Sequence, residues 1–173
     1  MILRKPALAL VALAIAFSAL TGSWESGFAV SEPDSATFWL TTEQPAEVYL
    51  GKGGVSMVKN YYNGSAVIHR IEPDKTYPSK DLQFVERWIE FHVFTPWGEP
   101  APDFLGLNYV YFDLTKRERL AWEDGLLNIY YYDRYQYEWL PCPTKYVADE
   151  NPPHGRLACV MTDFGLFGLA KLK

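Results

Sequence analysis

Apolar and polar residues alternate in short runs along most of this chain, and Gly, Pro and Asn residues separate the runs. The alternation is clearest in the second half of the run 82–95, where Glu90 and His92 are polar. The apolar positions around them are Val85, Ile89, Phe91 and Val93. A period of two residues is typical of a β-strand that turns one face to the core. In the first half of the run, Phe84 and Trp88 break this pattern, and a helix is the alternative there.

Similar β-type runs recur at intervals of about 10–15 residues along the rest of the chain. They are residues 37–42, 47–50, 55–58, 65–71, 108–114, 126–132, 137–142 and 157–172. Only the segment 116–124 has enough charged helix formers for a helical turn. Many short strands without long amphipathic helices predict an all-β fold, an antiparallel β-sandwich of about 7–9 strands. We assign residues 37–173 to this single domain.

The N-terminus has the composition of a targeting segment. Two basic residues precede an uncharged apolar run of 15 residues, 6–20. A helix that spans a bilayer needs roughly 20 apolar residues, whereas the apolar part of a signal peptide needs about 7–15. Residues 1–21 are therefore predicted to be a signal peptide or, if the span extends to Trp24, an uncleaved N-terminal anchor helix. Residues 22–36 are small and polar, and we predict that they form a linker.

The chain is acidic, with 16 basic and 21 acidic residues and a net charge of −5. Every acidic residue lies at Glu25 or later, so the chain without residues 1–21 would have 14 basic and 21 acidic residues. This balance argues against nucleic acid and against an anionic membrane surface as partners, and any membrane contact would be through residues 6–24. Two cysteines and three scattered histidines do not make a metal site, and no glycine-rich phosphate loop is present. We therefore expect no metal, no cofactor and no enzymatic activity.

Cys142 and Cys159 lie in two aromatic, β-favouring arms on either side of a polar loop that is rich in Pro and Gly. Such arms predict two neighbouring antiparallel strands, in which facing residues are close enough for a disulfide. A redox pair would have Cys-x-x-Cys spacing at the start of a helix, and two buried thiols are a further alternative. An even number of cysteines in an exported chain favours a structural disulfide. The predicted location is therefore extracytoplasmic, meaning secreted, periplasmic or anchored to the membrane at the cell surface.

Three short segments near the C-terminus resemble a known type of domain. They are 129–133 (Ile-Tyr-Tyr-Tyr-Asp), 139–141 (Trp-Leu-Pro) and 160–167 (Val-Met-Thr-Asp-Phe-Gly-Leu-Phe). The β-sandwich module at the ends of many bacterial exported or membrane-anchored surface proteins has a similar Tyr-Tyr strand, a W-x-x-L-P strand and a final H-F-S-x-F-A-L. With the upstream segments 89–94 and 109–114, the resemblance covers residues 82–173. It implies a β-sandwich fold and a surface setting, and it implies no chemistry.

The same segments are distantly similar to the autoproteolytic GAIN domain of adhesion receptors. That domain cleaves itself at a His-Leu-Thr or His-Leu-Ser sequence in its final strands. At the corresponding place this chain has Thr162, Asp163, Phe164 and Gly165, without a His before Phe164 or a hydroxyl after it. Because cleavage of this kind needs a Ser, Thr or Cys nucleophile at the scissile position, we expect no self-cleavage.

Four tyrosines near the C-terminus are the candidate contacts for a partner protein or a glycan. They are Tyr130, Tyr132, Tyr135 and Tyr137. On a strand whose odd-numbered residues face the core, Tyr130 and Tyr132 lie on the opposite face, where stacked rings could meet a ligand. The alternative, which we favour, is cross-strand pairing of aromatic rings that stabilises an exposed sheet face.

Two further features have a structural interpretation. Trp139, Phe164 and Phe167 lie in β-type runs rich in large apolar residues, and we predict that they are core residues of the final strand pair. Phe164 and Phe167 are three apart, so a regular strand would send them to opposite faces. Gly165 between them allows a bulge that turns both side chains inward.

Glu86, Glu90 and His92 could be read as two catalytic carboxylates with a histidine. On a strand they share one solvated face, and we interpret them as surface residues. The sequence thus predicts a non-catalytic interaction or structural module, a component of a cell surface or an envelope assembly, whose partners are other envelope or surface proteins. A carbohydrate-binding module that uses the tyrosine face is the alternative, and a hydrolase with an unrecognised site is a third hypothesis.

Overall fold

Twelve β-strands and one short helix make up the described part of this chain in a computed structural model. The description covers residues 34–60, 63–86, 88–101, 106–149, 151–161 and 164–173. The predicted signal or anchor segment 1–21 and most of the linker 22–36 lie outside these residues. No helix among the described residues is long and apolar enough to cross a bilayer. The prediction of an all-β fold is confirmed.

The strands form two sheets in which neighbouring strands are antiparallel. The elements are β1 Ser35–Leu40, β2 Ala46–Leu50, β3 Gly53–Asn60, β4 Gly64–Ile71, β5 Leu82–Phe84, β6 Trp88–Phe94, β7 Gly106–Asp113, α1 Lys116–Glu123, β8 Leu127–Asp133, β9 Glu138–Pro141, β10 Thr144–Val147, β11 Arg156–Val160 and β12 Gly165–Leu172. The first sheet has the order β1-β4-β6-β12-β8-β9, and β5 also pairs with β12. The second sheet has the order β10-β11-β7-β3-β2.

The strand count exceeds the predicted 7–9 because two of the predicted runs are divided. Run 82–95 forms β5 and β6, which pair with different parts of β12. Run 157–172 forms β11 in the second sheet and β12 in the first sheet. In addition, β10 lies in the segment that we interpreted as a polar loop. Passage from one sheet to the other accounts for the division of run 157–172, whereas β5 and β6 lie in the same sheet and are separate because they pair with different parts of β12.

The main core lies between the two sheets, which makes the fold a sandwich. It includes Ala66, Ile68, Ile89, Phe91, Val93, Leu127, Ile129, Phe167 and Leu169 from the first sheet and Leu50, Val55, Val110, Phe112, Leu157 and Cys159 from the second. Ile89, Phe91 and Val93 are at most 2% exposed, as the period of two along this run predicts. Each such side chain contributes about 1.5–3 kcal/mol of hydrophobic stabilisation.

A second apolar cluster covers the outward face of the first sheet, and we call it the outer aromatic cluster. It consists of Leu82, Trp88, Tyr130, Tyr132, Trp139, Leu166 and Ala170, with Ile71, Tyr77 and Phe84 packed against it. Tyr77 comes from the loop between β4 and β5, and the indole Nε1 of Trp139 donates to its carbonyl oxygen at 3.3 Å. Where this cluster lies, the sheet is apolar on both faces, which explains why the side chains of Phe84 and Trp88 interrupt the simple alternation.

The outer aromatic cluster corrects the prediction for two of the tyrosines. Tyr130 and Tyr132 lie on the face opposite Ile129, as expected, but each is only 8% exposed. The ring of Tyr77 packs on this face, with its centroid 4.8 Å from that of Tyr132. The chain's own loop thus occupies the place in which a ligand would have stacked.

The phenylalanines near the C-terminus pack against the main core as predicted. Phe167 is 4% exposed, and the ring centroid of partly buried Phe164 lies 6.0 Å from that of Phe91. Gly165 between them has φ +152°, a backbone conformation that residues other than glycine rarely adopt. Trp139 is also buried, but in the outer aromatic cluster and not between the sheets.

Cys142 and Cys159 form the predicted disulfide, with their Cα atoms 5.9 Å apart. Cys142 follows β9 of the first sheet, whereas Cys159 lies in β11 of the second sheet, opposite Thr144 of β10. The bond therefore ties the connection between the sheets to a strand of the second sheet. The sequence predicted a disulfide between two facing residues of neighbouring strands. In the structure, Cys142 and Cys159 do not face each other in a strand pair.

Candidate functional site

Six strand ends of the first sheet meet at one end of the sandwich. Because neighbours are antiparallel, β1 ends where β4 begins, and β4 begins beside the end of β6. The start of β12 and the turn from β8 to β9 lie at the same end. We call this region the cleft end, and it comprises Trp39 and residues 92–101, 131–137 and 164–167. Loops and strand ends of a sandwich are common places for binding residues because a rigid scaffold positions them.

A cleft of about 660 Å³ lies at the cleft end. Its walls include Tyr131 and Phe164, which pack against the main core, and His92 from the outward face of β6. Arg134 and Tyr135 from the β8–β9 turn complete one side. Pockets for small ligands have volumes of about 300–1,000 Å³, so the cleft can hold a small ligand or one segment of a polymer.

The β8–β9 turn is held in shape by Asp133. Its carboxylate accepts hydrogen bonds from the backbone N–H groups of Tyr135 at 2.7 Å and Gln136 at 3.0 Å, and from the side-chain amide of Gln136 at 3.0 Å. These hydrogen bonds lower the pKa of Asp133 because they favour its charged form. Tyr137 completes the turn in the left-handed region, with φ 56°. A turn with this many internal contacts keeps its side chains in defined directions.

Two of the four predicted tyrosines are exposed on this turn. Tyr135 is 90% exposed and Tyr137 is 74% exposed, in contrast to buried Tyr130 and Tyr132. Tyr135 lines the cleft. Of the four candidate contacts, only the two turn residues are therefore accessible to a partner, and their role in binding stays a prediction.

Glu90, His92 and Arg134 form a polar group beside the cleft, which we call the polar triad. Oε1 of Glu90 lies 3.2 Å from Nε2 of His92 and 3.8 Å from Nη2 of Arg134. Glu90 and His92 lie on the same outward face of β6, as predicted, and each is partly exposed. The carboxylate holds the imidazole and the guanidinium group in place, so the triad presents donors and acceptors in a defined arrangement. Glu86 belongs elsewhere, because it precedes β6 and lies 3.8 Å from Nζ of Lys52.

Two tryptophans add to the exposed aromatic surface of the cleft end. Trp39 on β1 is 73% exposed, and Trp97 is 85% exposed. Trp97 lies in a turn in which the N–H of Gly98 donates to the carbonyl oxygen of Thr95. Sequence reasoning missed both of them, as it missed Arg134. For Trp97 the sequence did contain a signal, since a tryptophan between Pro96 and Gly98 lies in a turn and is therefore expected to be exposed.

A second group of charged residues lies on the outward face of the second sheet. The guanidinium carbon of Arg156 lies 4.6 Å from the ring centroid of Tyr111 and 5.2 Å from that of Tyr49. Its nitrogens lie 3.3 Å from Glu47 and 3.4 Å from Asp113. The Arg156 side chain is only 14% exposed. Arg156 therefore links strands β2, β7 and β11 and leaves little of its charge for a ligand, so we interpret this group as structural.

The hydroxyl of Tyr49 provides a pH test of this group. Burial and a hydrogen bond to the Asp113 carboxylate at 3.0 Å raise the pKa of Tyr49 to about 12. Because the folded protein holds this proton more tightly than the unfolded chain does, the hydroxyl favours folding below pH 10, and that contribution is lost as the pH rises towards 12. Ultraviolet titration of the folded protein, compared with the Tyr49→Phe variant, should assign to Tyr49 a midpoint near pH 12. A difference spectrum with a midpoint near 10 would contradict the contact with Asp113.

No group of three or more His, Cys, Asp or Glu side chains is placed to hold a metal ion among the residues that the structure describes. The chain matches no family model, and neither the curated proteins nor the solved structures give a match. The resemblance of residues 82–173 to the surface-protein module therefore stays a prediction. The site is defined by its own residues, namely the cleft, the polar triad and the exposed aromatic side chains of the cleft end.

Proposed function

We propose that this protein is a non-catalytic binding module of the extracytoplasmic space, which attaches to another component of the cell surface or envelope through its cleft end. The observation that carries this proposal is the exposure of four aromatic side chains there. Trp39, Trp97, Tyr135 and Tyr137 are between 73% and 90% exposed. Exposed aromatic residues at one end of a domain are a typical feature of binding surfaces, because a partner that covers them removes a large apolar area from water.

The polar triad offers a ligand donors and acceptors in fixed positions. Glu90 is paired with both His92 and Arg134. Its carboxylate lies between the imidazole and the guanidinium group and orients both. Side chains that are oriented before the ligand arrives lose less entropy on binding.

The disulfide supports an extracytoplasmic location. Disulfides persist in oxidising compartments and are rare in the cytosol. The bond between Cys142 and Cys159 lies in the main core. The apolar segment at residues 6–20 is the predicted route of export.

The proposal predicts that the exposed aromatic residues bind cell envelopes. In the full chain, the triple variant Trp97→Ser, Tyr135→Ser and Tyr137→Asn should bind at least about ten-fold more weakly in co-sedimentation with envelopes of the producing cells. Asparagine is chosen for position 137 because it tolerates the left-handed conformation there.

A matched control replaces three exposed leucines outside the cleft end by serine, at Leu120, Leu126 and Leu172, which are 52–55% exposed. This control should bind like the unsubstituted protein, and both variants should keep its melting temperature within a few degrees. Equal loss of binding in the two triple variants, or none in the aromatic one, would remove the cleft end as the binding surface.

A further inference from the structure

The chemistry of the cleft end indicates what kind of ligand it takes. The carboxylate of Glu90 only accepts hydrogen bonds and the guanidinium group of Arg134 only donates them, whereas an imidazole such as that of His92 donates and, in its neutral form, also accepts. These three side chains are held together by contacts of 3.2 Å and 3.8 Å. A ligand that satisfies all of them needs adjacent groups that both donate and accept. Neighbouring hydroxyl groups on a ring have this property, because each is one donor and two acceptors.

The charges around the cleft point to a neutral ligand. The turn contributes Asp133 and Arg134, which carry opposite charges, and the negative charge of Glu90 lies against Arg134 and His92. No single sign of charge therefore dominates the walls. The chain as a whole is acidic, with a net charge of −5, so strongly anionic polymers are repelled.

The apolar surface at this end consists of flat rings. On the first sheet, the large apolar side chains exposed at the cleft end are all aromatic, whereas exposed Val58, Leu107 and Val147 belong to the second sheet. An aromatic face carries partial negative charge and attracts the polarised C–H groups of a sugar ring. Tyr135 lines the cleft together with Arg134 and His92.

From these observations we infer that the cleft binds a neutral carbohydrate, with a sugar ring against Tyr135 and its hydroxyl groups bound by His92 and Arg134 in the walls and by Glu90 beside them. The volume of about 660 Å³ is in the range of ligand pockets and suits a short segment of a glycan. A protein partner would instead bury about 800 Å² of a flatter surface on each side. The inference rests on the proposed function, because it names the ligand of the same surface.

The test uses the full chain and envelopes of the producing cells, in three portions that are untreated, oxidised with periodate, or digested with protease. Periodate cleaves the vicinal diols of glycans, whereas protease removes protein partners. We expect binding to fall at least about ten-fold after periodate and to persist after protease. Binding that survives periodate overturns the carbohydrate inference and leaves the proposed function standing. Absence of binding to untreated envelopes contradicts both.

Variants of one residue then locate the sugar. Tyr135→Ala should weaken binding about ten-fold or more. Tyr135→Phe should bind like the unsubstituted protein, because the ring makes the contact and the hydroxyl does not. Glu90→Gln, which keeps the shape of the side chain but removes its charge, should also weaken binding. Val147→Ser on the second sheet is the control and should have no effect. If Tyr135→Phe binds as poorly as Tyr135→Ala while both melt like the unsubstituted protein, stacking of a sugar on this ring is excluded.

Discussion

Replacement of Trp88 by alanine should lower the free energy of unfolding by about 3–5 kcal/mol. Trp88 is 1% exposed and lies at the centre of the outer aromatic cluster. Its ring centroid is 5.1 Å from that of Phe84, 5.0 Å from that of Trp139 and 5.7 Å from that of Tyr77. Removal of the indole leaves a cavity among three other rings, and the loop that carries Tyr77 loses one of its contacts. The large expected cost follows from both effects.

The matched control is Trp97→Ala, which removes the same side chain from a position that is 85% exposed. Its effect on the free energy of unfolding should stay within about 0.5 kcal/mol. Urea denaturation of both variants, without any ligand, measures the difference. A domain of this size has a total stability of roughly 5–15 kcal/mol, so the loss in the Trp88 variant should shift the midpoint clearly. Similar midpoints for the two variants would show that the outer aromatic cluster is not a second core.

The outer aromatic cluster also shows what the alternation of residues can and cannot predict. A period of two assigns side chains to one face or the other, and the faces of Ile129 and Tyr130 were assigned correctly. It contains no information on what covers the second face. The loop with Tyr77 is polar and rich in Pro and Lys, so its packing on the sheet was not visible in its own sequence. Burial of Tyr130 is thus a tertiary effect.

Close packing against β12 depends on a residue whose role the sequence did not reveal. A Cβ atom on Gly168 would overlap the rings of Phe84 and Trp88. Glycine at this position lets two large side chains approach the backbone of the central strand. In the sequence Gly168 is one of two glycines in an apolar run. Its role becomes visible only from the register between β5, β6 and β12.

The candidate site was partly predictable for a related reason. Tyr135 and Tyr137 were recognised because they lie in a segment unusually rich in tyrosine, and the common face of Glu90 and His92 follows from their spacing. Arg134 joins them because the β8–β9 turn and β6 meet at the same end of the first sheet. That meeting depends on the strand order, with β12 between β6 and β8, and strand order is a long-range property that local patterns do not contain.

Loss of the Cys142–Cys159 disulfide should be the other large effect on stability. The cysteines are separated by 17 positions in the sequence, and in the chain-entropy model a loop of this size corresponds to about 3 kcal/mol. The double variant Cys142→Ala and Cys159→Ala should therefore unfold at a distinctly lower urea concentration. Alanine is preferred to serine because the two positions are 5% and 0% exposed, and a buried hydroxyl without a partner would add a cost of its own.

Treatment with a reductant distinguishes the stability contributed by the disulfide from that contributed by the cysteine side chains. It should lower the unfolding midpoint of the unsubstituted protein and leave that of the double variant unchanged, since the variant has no bond to break. Thiol titration of the unreduced, unfolded protein should find none, because the structure pairs both cysteines. Two reactive thiols, or a midpoint insensitive to reductant, would mean that the bond is not part of the exported protein. The β9–β10 connection would then be held to β11 only by packing and by the pairing of β10 with β11, and the disulfide would no longer support an extracytoplasmic location.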